Sequence, residues 1–155
     1  MKKTIFITGL IFLAVAAFAQ MGVSEISFTN PIHSKYKISM HFGKQIHPLT
    51  DNEYEHDGID IVSKINTKVY PIAEGIVIEK GFDVSDGKYI VIDHKNGYKS
   101  RYTHLKRFSC EVSENVSPKK TIARLGATGI VTAPFLHLSI FKDEEAVDPE
   151  SLIEF

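Results

Sequence analysis

The chain has 155 residues and a formal net charge of -1, with 18 Lys and Arg against 19 Asp and Glu. This near-neutral balance gives no basic footprint for a nucleic-acid partner. Cys110 is the single cysteine, so an intramolecular disulfide is excluded and core packing, helped by a metal, must provide the stability.

The first 19 residues have the pattern of a secretory signal peptide. Lys2 and Lys3 precede an apolar stretch over residues 5–18, and small residues at 17 and 19 precede a predicted cut after Ala19. The apolar stretch is shorter than the roughly 20 residues that cross a bilayer, which makes an uncleaved anchor the weaker alternative. We therefore expect an exported, periplasmic or extracellular chain of one domain, residues 20–155, without a membrane span.

The remainder of the chain carries strand signals. Runs rich in Val, Ile, Tyr and Phe alternate with turn residues, no sustained helical spacing is present, and Asn96-Gly97 is typical of a hairpin turn. The sequence therefore predicts an all-β fold, an antiparallel sheet or sandwich with little helix. The predicted strands are 59–62, 69–73, 75–79, 89–93, 98–105 and 136–141.

Two less patterned segments flank these strands. Residues 20–37 precede the first motif, and we treat them as a candidate inhibitory segment that crosses the cleft. Residues 142–155 are acidic, which predicts a solvated surface.

A first candidate metal motif is His56-Asp57-Gly58-Ile59-Asp60. In an extended chain the backbones of His56 and Asp60 would lie roughly 13 Å apart, so the chain must bend if both bind one zinc ion. Asp57-Gly58 favours such a turn. Taken alone, the pair is also typical of a hydrogen-bonded surface contact.

His137 lies in a predicted strand, where alternation places Phe135, His137 and Ser139 on one face and Leu136 and Leu138 on the other. A lone strand histidine is usually structural. Two imidazoles and one carboxylate, however, form a ligand set that leaves zinc an open fourth position, as in catalytic sites.

His104 is the third candidate. In a regular strand Tyr102 and His104 share a face, which predicts that both look into the same cleft. A histidine beside the metal would hydrogen-bond the attacking water or the oxyanion. The alternative is a surface histidine on a hairpin.

Ordered blocks between residues 38 and 140 resemble the lysostaphin-type (LytM-like) metallopeptidases, which cut the peptide cross-links of bacterial peptidoglycan. The resemblance implies a fold of the duplicated hybrid motif kind and a zinc ion held by His56, Asp60 and His137. It further implies that His104 is one of two catalytic histidines outside the metal shell. The matching blocks are 40–43, 46–50, 56–61, 69–77, 102–105, 126–129 and 136–138.

The chain departs from this family at the second catalytic histidine. The family normally has Gly-Pro-His-Leu-His, whereas this chain has Ala-Pro-Phe-Leu-His over residues 133–137, so Phe135 replaces the histidine. Glu55, His41 and His94 are the candidate replacements for the missing proton carrier. We predict a zinc endopeptidase that acts on peptidoglycan peptides and is weakened by Phe135. The alternative is a catalytically degenerate domain that binds peptidoglycan or regulates a partner hydrolase.

Overall fold

The computed structural model describes residues 26–46 and 51–155, which form strands almost throughout. The predicted signal peptide and the 47–50 portion of one family block lie outside the described residues. The predicted all-β, antiparallel fold with little helix is confirmed. Within the described ranges no helix combines the length and apolar character needed to cross a bilayer.

The strands are β1 Lys37–Met40, β2 Gly43–Ile46, β3 Glu53–His56, β4 Gly58–Val62, β5 Lys68–Val69, β6 Gly75–Asp83, β7 Gly87–Asp93, β8 Tyr98–Phe108, β9 Asn115–Val116, β10 Ala123–Leu125, β11 Phe135–Lys142 and β12 Glu145–Val147, followed by a 3-10 turn at Pro149–Ser151.

One large antiparallel sheet organises the molecule. Its main order is β1-β4-β11-β8-β7-β6-β9, while β12 pairs with β11, β10 pairs with β8, and β5 pairs with β10. A separate hairpin consists of β2 and β3. Because β4, β11 and β8 are neighbours, residues about 80 positions apart in sequence lie side by side near the middle of the sheet.

The core lies against one face of this sheet. Every second residue of the central strands points into it, in agreement with the predicted alternation. Complete burial of an aliphatic or aromatic side chain stabilises a fold by about 1.5–3 kcal/mol, so this face is the main source of stability. The fully buried members on the central strands include Ile59, Ile61, Ile90, Ile92, Tyr102, Leu105, Leu136, Leu138 and Ile140.

Four of the strands predicted between residues 75 and 141 are contained in β6, β7, β8 and β11. The hairpin at Asn96-Gly97 is also confirmed. The Tyr98 N–H donates to the Lys95 carbonyl at 2.9 Å, and both Asn96 and Gly97 have a left-handed backbone, with φ of 49° and 77°. Gly and Asn adopt this conformation more readily than other residues, which explains the turn signal.

The strand predicted at residues 69–73 is wrong beyond Val69. Pro71 has no N–H to give to a ladder, and its neighbours use other partners. The Tyr70 N–H donates to the Pro31 carbonyl at 3.0 Å, and the Ile72 N–H donates to the Tyr102 hydroxyl at 2.9 Å. The chain therefore runs here as an irregular segment bound to the core.

The hypothesis of an inhibitory segment at residues 20–37 is wrong for its described part. Ile32 is 1% exposed, the Thr29 N–H donates to the Ile72 carbonyl at 2.7 Å, and Phe28 packs edge-on against His94. Residues 26–36 thus belong to the packing of the core rather than to a cover over the cleft.

The acidic tail is only partly a solvated surface. Most of its carboxylates are exposed, as predicted, but Pro149 and Ile153 are buried and β12 pairs with β11. The tail therefore closes one end of the core with its apolar residues while its charges face water.

Candidate metal centre

Three strands bring His56, Asp60 and His137 together. His56 ends β3, Asp57 alone separates β3 from β4, and Asp60 lies directly opposite His137 in the pairing of β4 with β11. Gly58 makes this approach possible, because a Cβ there would lie 2.2 Å from the Leu138 carbonyl oxygen. All three side chains are largely removed from solvent.

The donor atoms of these residues form a tight triangle. His137 Nδ1 lies 2.8 Å from Asp60 Oδ1, His56 Nε2 lies 3.1 Å from His137 Nδ1, and His56 Nε2 lies 3.3 Å from Asp60 Oδ1. Ligands about 2.0–2.1 Å from a tetrahedral zinc ion are separated by roughly 3.3 Å, so small shifts would admit the ion. In the described part of the chain no other group of three His, Cys, Asp or Glu side chains shows such convergence.

The orientation of His56 is set by a backbone group that the sequence did not indicate. His56 Nδ1 lies 2.8 Å from the His41 carbonyl oxygen, which only accepts hydrogen bonds. Nδ1 therefore carries the proton, and the lone pair of Nε2 faces Asp60 and His137. This is the arrangement that a metal-binding imidazole requires.

His137 is held at both ring nitrogens. Nδ1 faces Asp60 and His56, while Nε2 lies 3.1 Å from Asp57 Oδ1 and 2.9 Å from Ser139 Oγ. Burial disfavours the imidazolium, but the hydrogen bonds and charges of Asp57 and Asp60 outweigh it and raise the pKa of His137 to about 9. In the metal-free protein a proton on His137 thus offsets the negative charge of the centre.

The same contacts shift the pKa of Asp60 in the opposite direction. Burial alone would raise the pKa of its carboxyl, yet hydrogen bonds with His137 and His56 lower the pKa below the usual value. Asp60 is consequently ionised at neutral pH, as a metal-binding carboxylate must be.

His104 interrupts the regular alternation of β8. Its φ is 59°, its N–H donates to the Asp86 carbonyl at 2.8 Å, and Nδ1 lies 2.9 Å from the Thr128 carbonyl oxygen. The prediction that Tyr102 and His104 share a face is wrong. Tyr102 is fully buried in the core, and the left-handed backbone at His104 redirects that ring toward Phe135.

Phe135 occupies the space beside His104. Their ring centroids are 4.7 Å apart at an interplanar angle of 65°. Phe135 lies two positions before His137 on β11, where it pairs with Val62, and like His137 it keeps some exposure to solvent, while Leu136 between them is fully buried. An apolar ring therefore adjoins His104 where a second imidazole was expected.

The three candidate replacements do not reach this centre. Glu55 alternates with His56 along β3 and lies on the exposed face of that strand. The imidazole of His41 binds Glu150 at 2.6 Å on the surface. His94 is buried in the core, with Nε2 2.6 Å from Ser100 Oγ.

Comparison with known protein families identifies a match over the residues that form this centre. A profile of Peptidase family M23 matches residues 54–149, which contain all three members of the triangle as well as His104 and Phe135. The chain belongs to peptidase family M23.

Two curated relatives carry names that state an activity. Peptidoglycan DD-endopeptidase ShyA of Vibrio cholerae is 36% identical over 71% of this chain and 26% of its own length. DD-carboxypeptidase/endopeptidase Mpg of Neisseria meningitidis is 34% identical over 75% of this chain and 27% of its own length. The M23 chain thus spans about a quarter of each of these relatives.

Solved structures give the same result. A zinc-containing peptidase from Vibrio cholerae has a TM-score of 0.75 and 34% sequence identity to this chain. The match covers 79% of this chain and 39% of the Vibrio chain. The catalytic domain of lysostaphin from Staphylococcus simulans has a TM-score of 0.67 and 28% sequence identity to this chain. The match covers 75% of this chain and 90% of the lysostaphin domain. The M23 fold is therefore preserved over most of the described residues.

Proposed function

We propose that this M23 domain, residues 20–155 after removal of a signal peptide, is an exported zinc endopeptidase that hydrolyses peptide cross-links of bacterial peptidoglycan. The observation that carries the proposal is the triangle of His56 Nε2, Asp60 Oδ1 and His137 Nδ1, with sides of 2.8–3.3 Å. The relatives named as peptidoglycan endopeptidases support the substrate class.

In this proposal His56, Asp60 and His137 hold the zinc ion. Two imidazole nitrogens and one carboxylate oxygen suit zinc, and a set of three protein ligands is typical of catalytic rather than structural sites. When bound, zinc supplies a Lewis acid that polarises a peptide carbonyl and lowers the pKa of a water molecule toward roughly 7.

His104 is the proton carrier of the proposed reaction. Because the Thr128 carbonyl only accepts, His104 Nδ1 carries the proton and Nε2 retains a lone pair. Burial is the largest influence on this ring and lowers the pKa of His104, which keeps it neutral at pH 7. A neutral imidazole with a free lone pair accepts a proton from the attacking water and then returns it to the leaving amine. This tautomer favours a contact with the water over a contact with the oxyanion.

Phe135 limits the rate in this proposal. A phenyl ring carries no proton, so it cannot supply the second acid-base group that the family normally has. Loss of one such group commonly costs about a hundredfold to ten-thousandfold. We therefore expect slow but zinc-dependent hydrolysis.

A second candidate function rests on the same ring. Phe135 packs against His104 and creates an apolar surface beside the metal centre, which favours a domain that binds wall peptides or regulates a partner hydrolase without cleaving. This candidate and the enzyme differ in one measurable respect, which is turnover.

Digestion of purified peptidoglycan by the wild type, His137→Ala and Phe135→His variants separates the two functions. We expect one zinc ion per wild-type chain, slow release of muropeptides that chelation stops, and neither zinc nor release in His137→Ala. Glu55→Gln provides a control because Glu55 lies on the exposed face of β3. Turnover by Phe135→His alone would reject the enzyme for the natural chain and support the binding domain.

A further inference from the structure

Asp57 lies between two of the proposed ligands in sequence but does not belong to the donor triangle. Its Oδ1 is 3.1 Å from His137 Nε2, the ring nitrogen that faces away from Asp60 and His56. Ser139 Oγ lies 2.9 Å from the same nitrogen. Two oxygen atoms therefore lie within hydrogen-bond distance of the same ring nitrogen.

These two oxygen atoms differ in what they impose on the ring. A serine hydroxyl either donates or accepts, so Ser139 is compatible with both neutral tautomers of His137. A carboxylate only accepts, and an aspartate is ionised at neutral pH. Asp57 therefore keeps a proton on Nε2, so the proton that the ring loses on binding zinc comes from Nδ1, whose lone pair is then directed at Asp60 and His56.

We propose that Asp57 is a positioning residue that selects the Nε2–H tautomer of His137 and thereby sets the zinc affinity of the centre. This assignment rests on the proposed function, because it presupposes that His137 Nδ1 binds zinc. Asp57 acts through His137 and does not itself touch the ion. Partners of this kind commonly contribute tenfold to a hundredfold to metal affinity.

The surroundings of His137 restrict rotation of its ring. The hydrogen-bond partner Asp57, rather than a change in ring orientation, therefore selects the tautomer. Gly58 lies beneath the imidazole, and a Cβ there would be 3.0 Å from His137 Cε1. Asp60 and Thr103 lie opposite His137 on the two neighbouring strands. The ring is thus confined, and the remaining variable is which nitrogen keeps the proton when the ring is neutral.

The consequence of removing Asp57 follows from the burial of Ser139. Ser139 is 1% exposed, so its hydroxyl must find a partner inside the protein, and donation to His137 Nε2 is available once the carboxylate is gone. The neutral ring then carries its proton on Nδ1, at the position that the metal would occupy. An asparagine at 57 presents either its oxygen or its amide group, so its effect should be intermediate.

The test is the zinc affinity of the purified protein, measured by competition with a chromophoric chelator at neutral pH. We expect Asp57→Ala to weaken zinc binding by about tenfold and Asp57→Asn to weaken it less. Glu55→Gln is the matched control, because it removes one negative charge two residues away, from a side chain on the exposed face of β3. It should bind zinc as the wild type does.

A second measurement reports the ring directly. In zinc-loaded protein labelled with nitrogen-15 histidine, the Nε2–H of His137 should exchange slowly with solvent in the wild type and rapidly in Asp57→Ala. Because Asp57 is 53% exposed on its side chain, the fold should survive this substitution, which circular dichroism checks.

Three results would overturn the assignment. Asp57→Ala with wild-type zinc affinity and a slowly exchanging Nε2–H would remove Asp57 from the centre while leaving the proposed function intact. An equal loss of affinity in Asp57→Asn and Glu55→Gln would reduce its role to general charge. Absence of zinc binding in the wild type would reject the proposed metal centre itself and this assignment with it.

Discussion

Phe135 and His104 form an edge-on aromatic pair, with ring centroids 4.7 Å apart, although they lie on different strands and 31 positions apart in sequence. The pair places an imidazole with a free Nε2 next to a ring that cannot exchange protons. The proposed chemistry therefore depends on one histidine outside the metal-binding set.

The pH dependence of hydrolysis should report the ionisation of His104. Burial lowers the pKa of His104 below its ordinary value of 6.5, and the neutral ring is the active form. Activity should persist as the pH falls through 6.5 and decline only at the lower pKa of His104. A plot of kcat/KM against pH checks this, and Phe135→His should add a second ionisation. A wild-type acid limb above pH 6.5 would contradict the assignment of His104.

The hydroxyl of Thr128 should contribute to the stability of the fold and to the support of His104. Its Oγ1 accepts from the Lys88 N–H at 2.9 Å and donates to the Leu105 carbonyl at 2.7 Å, and its own carbonyl holds His104. Thr128→Val removes both hydroxyl contacts and should lower the free energy of unfolding by about 1–3 kcal/mol. Denaturant unfolding measures this change, and hydrolysis should slow as His104 loses its support. Thr128→Ser keeps the hydroxyl, so an equal loss in that variant would show that the methyl group is responsible.

Removal of zinc should destabilise the folded protein. An ion that binds only the native state adds about 2.7 kcal/mol to the free energy of unfolding when its concentration is 100 times Kd. Thermal unfolding with and without a chelator should therefore show a lower Tm in the chelator. His137→Ala loses a member of the donor triangle and should show no zinc-dependent shift. A wild-type Tm that does not respond to zinc would count against the metal centre.

His94 should make the fold sensitive to acid. Burial is the main influence on this ring and lowers the pKa of His94 below 6.5. Nδ1 of His94 lies 2.9 Å from the Glu74 carbonyl oxygen, and Nε2 lies 2.6 Å from Ser100 Oγ. The neutral ring contributes stability above the unfolded-state pKa of 6.5, and that contribution is lost as the pH falls through the lower folded-state pKa. One proton limits the slope to about 1.4 kcal/mol per pH unit.

Denaturant titrations of wild type and His94→Gln across this range test the effect. The variant should be less stable at neutral pH because Gln cannot reproduce both contacts of the ring, but its stability should depend less on pH below 6.5. The same acid dependence in both proteins would assign the loss to other groups.

The sequence by itself determined the class of the fold and the family. Apolar alternation is a local property of a strand, so Leu136 and Leu138 could be assigned to the core and β6, β7, β8 and β11 could be located without coordinates. The Asn96-Gly97 turn was predictable for the same reason, because the backbone preferences of Asn and Gly are intrinsic to these residues. The resemblance over separated blocks indicated His56, Asp60 and His137 together.

Only the tertiary structure decided what surrounds those residues. The carbonyls of His41 and Thr128 act through hydrogen bonds to residues distant in the chain, and such pairings depend on register rather than on residue type. The left-handed backbone at His104 is likewise invisible to a pattern with a period of two. Local preferences determined the strands, whereas the pairing of β4, β11 and β8 determined which side chains meet, because contacts between distant segments form only once the whole core has packed.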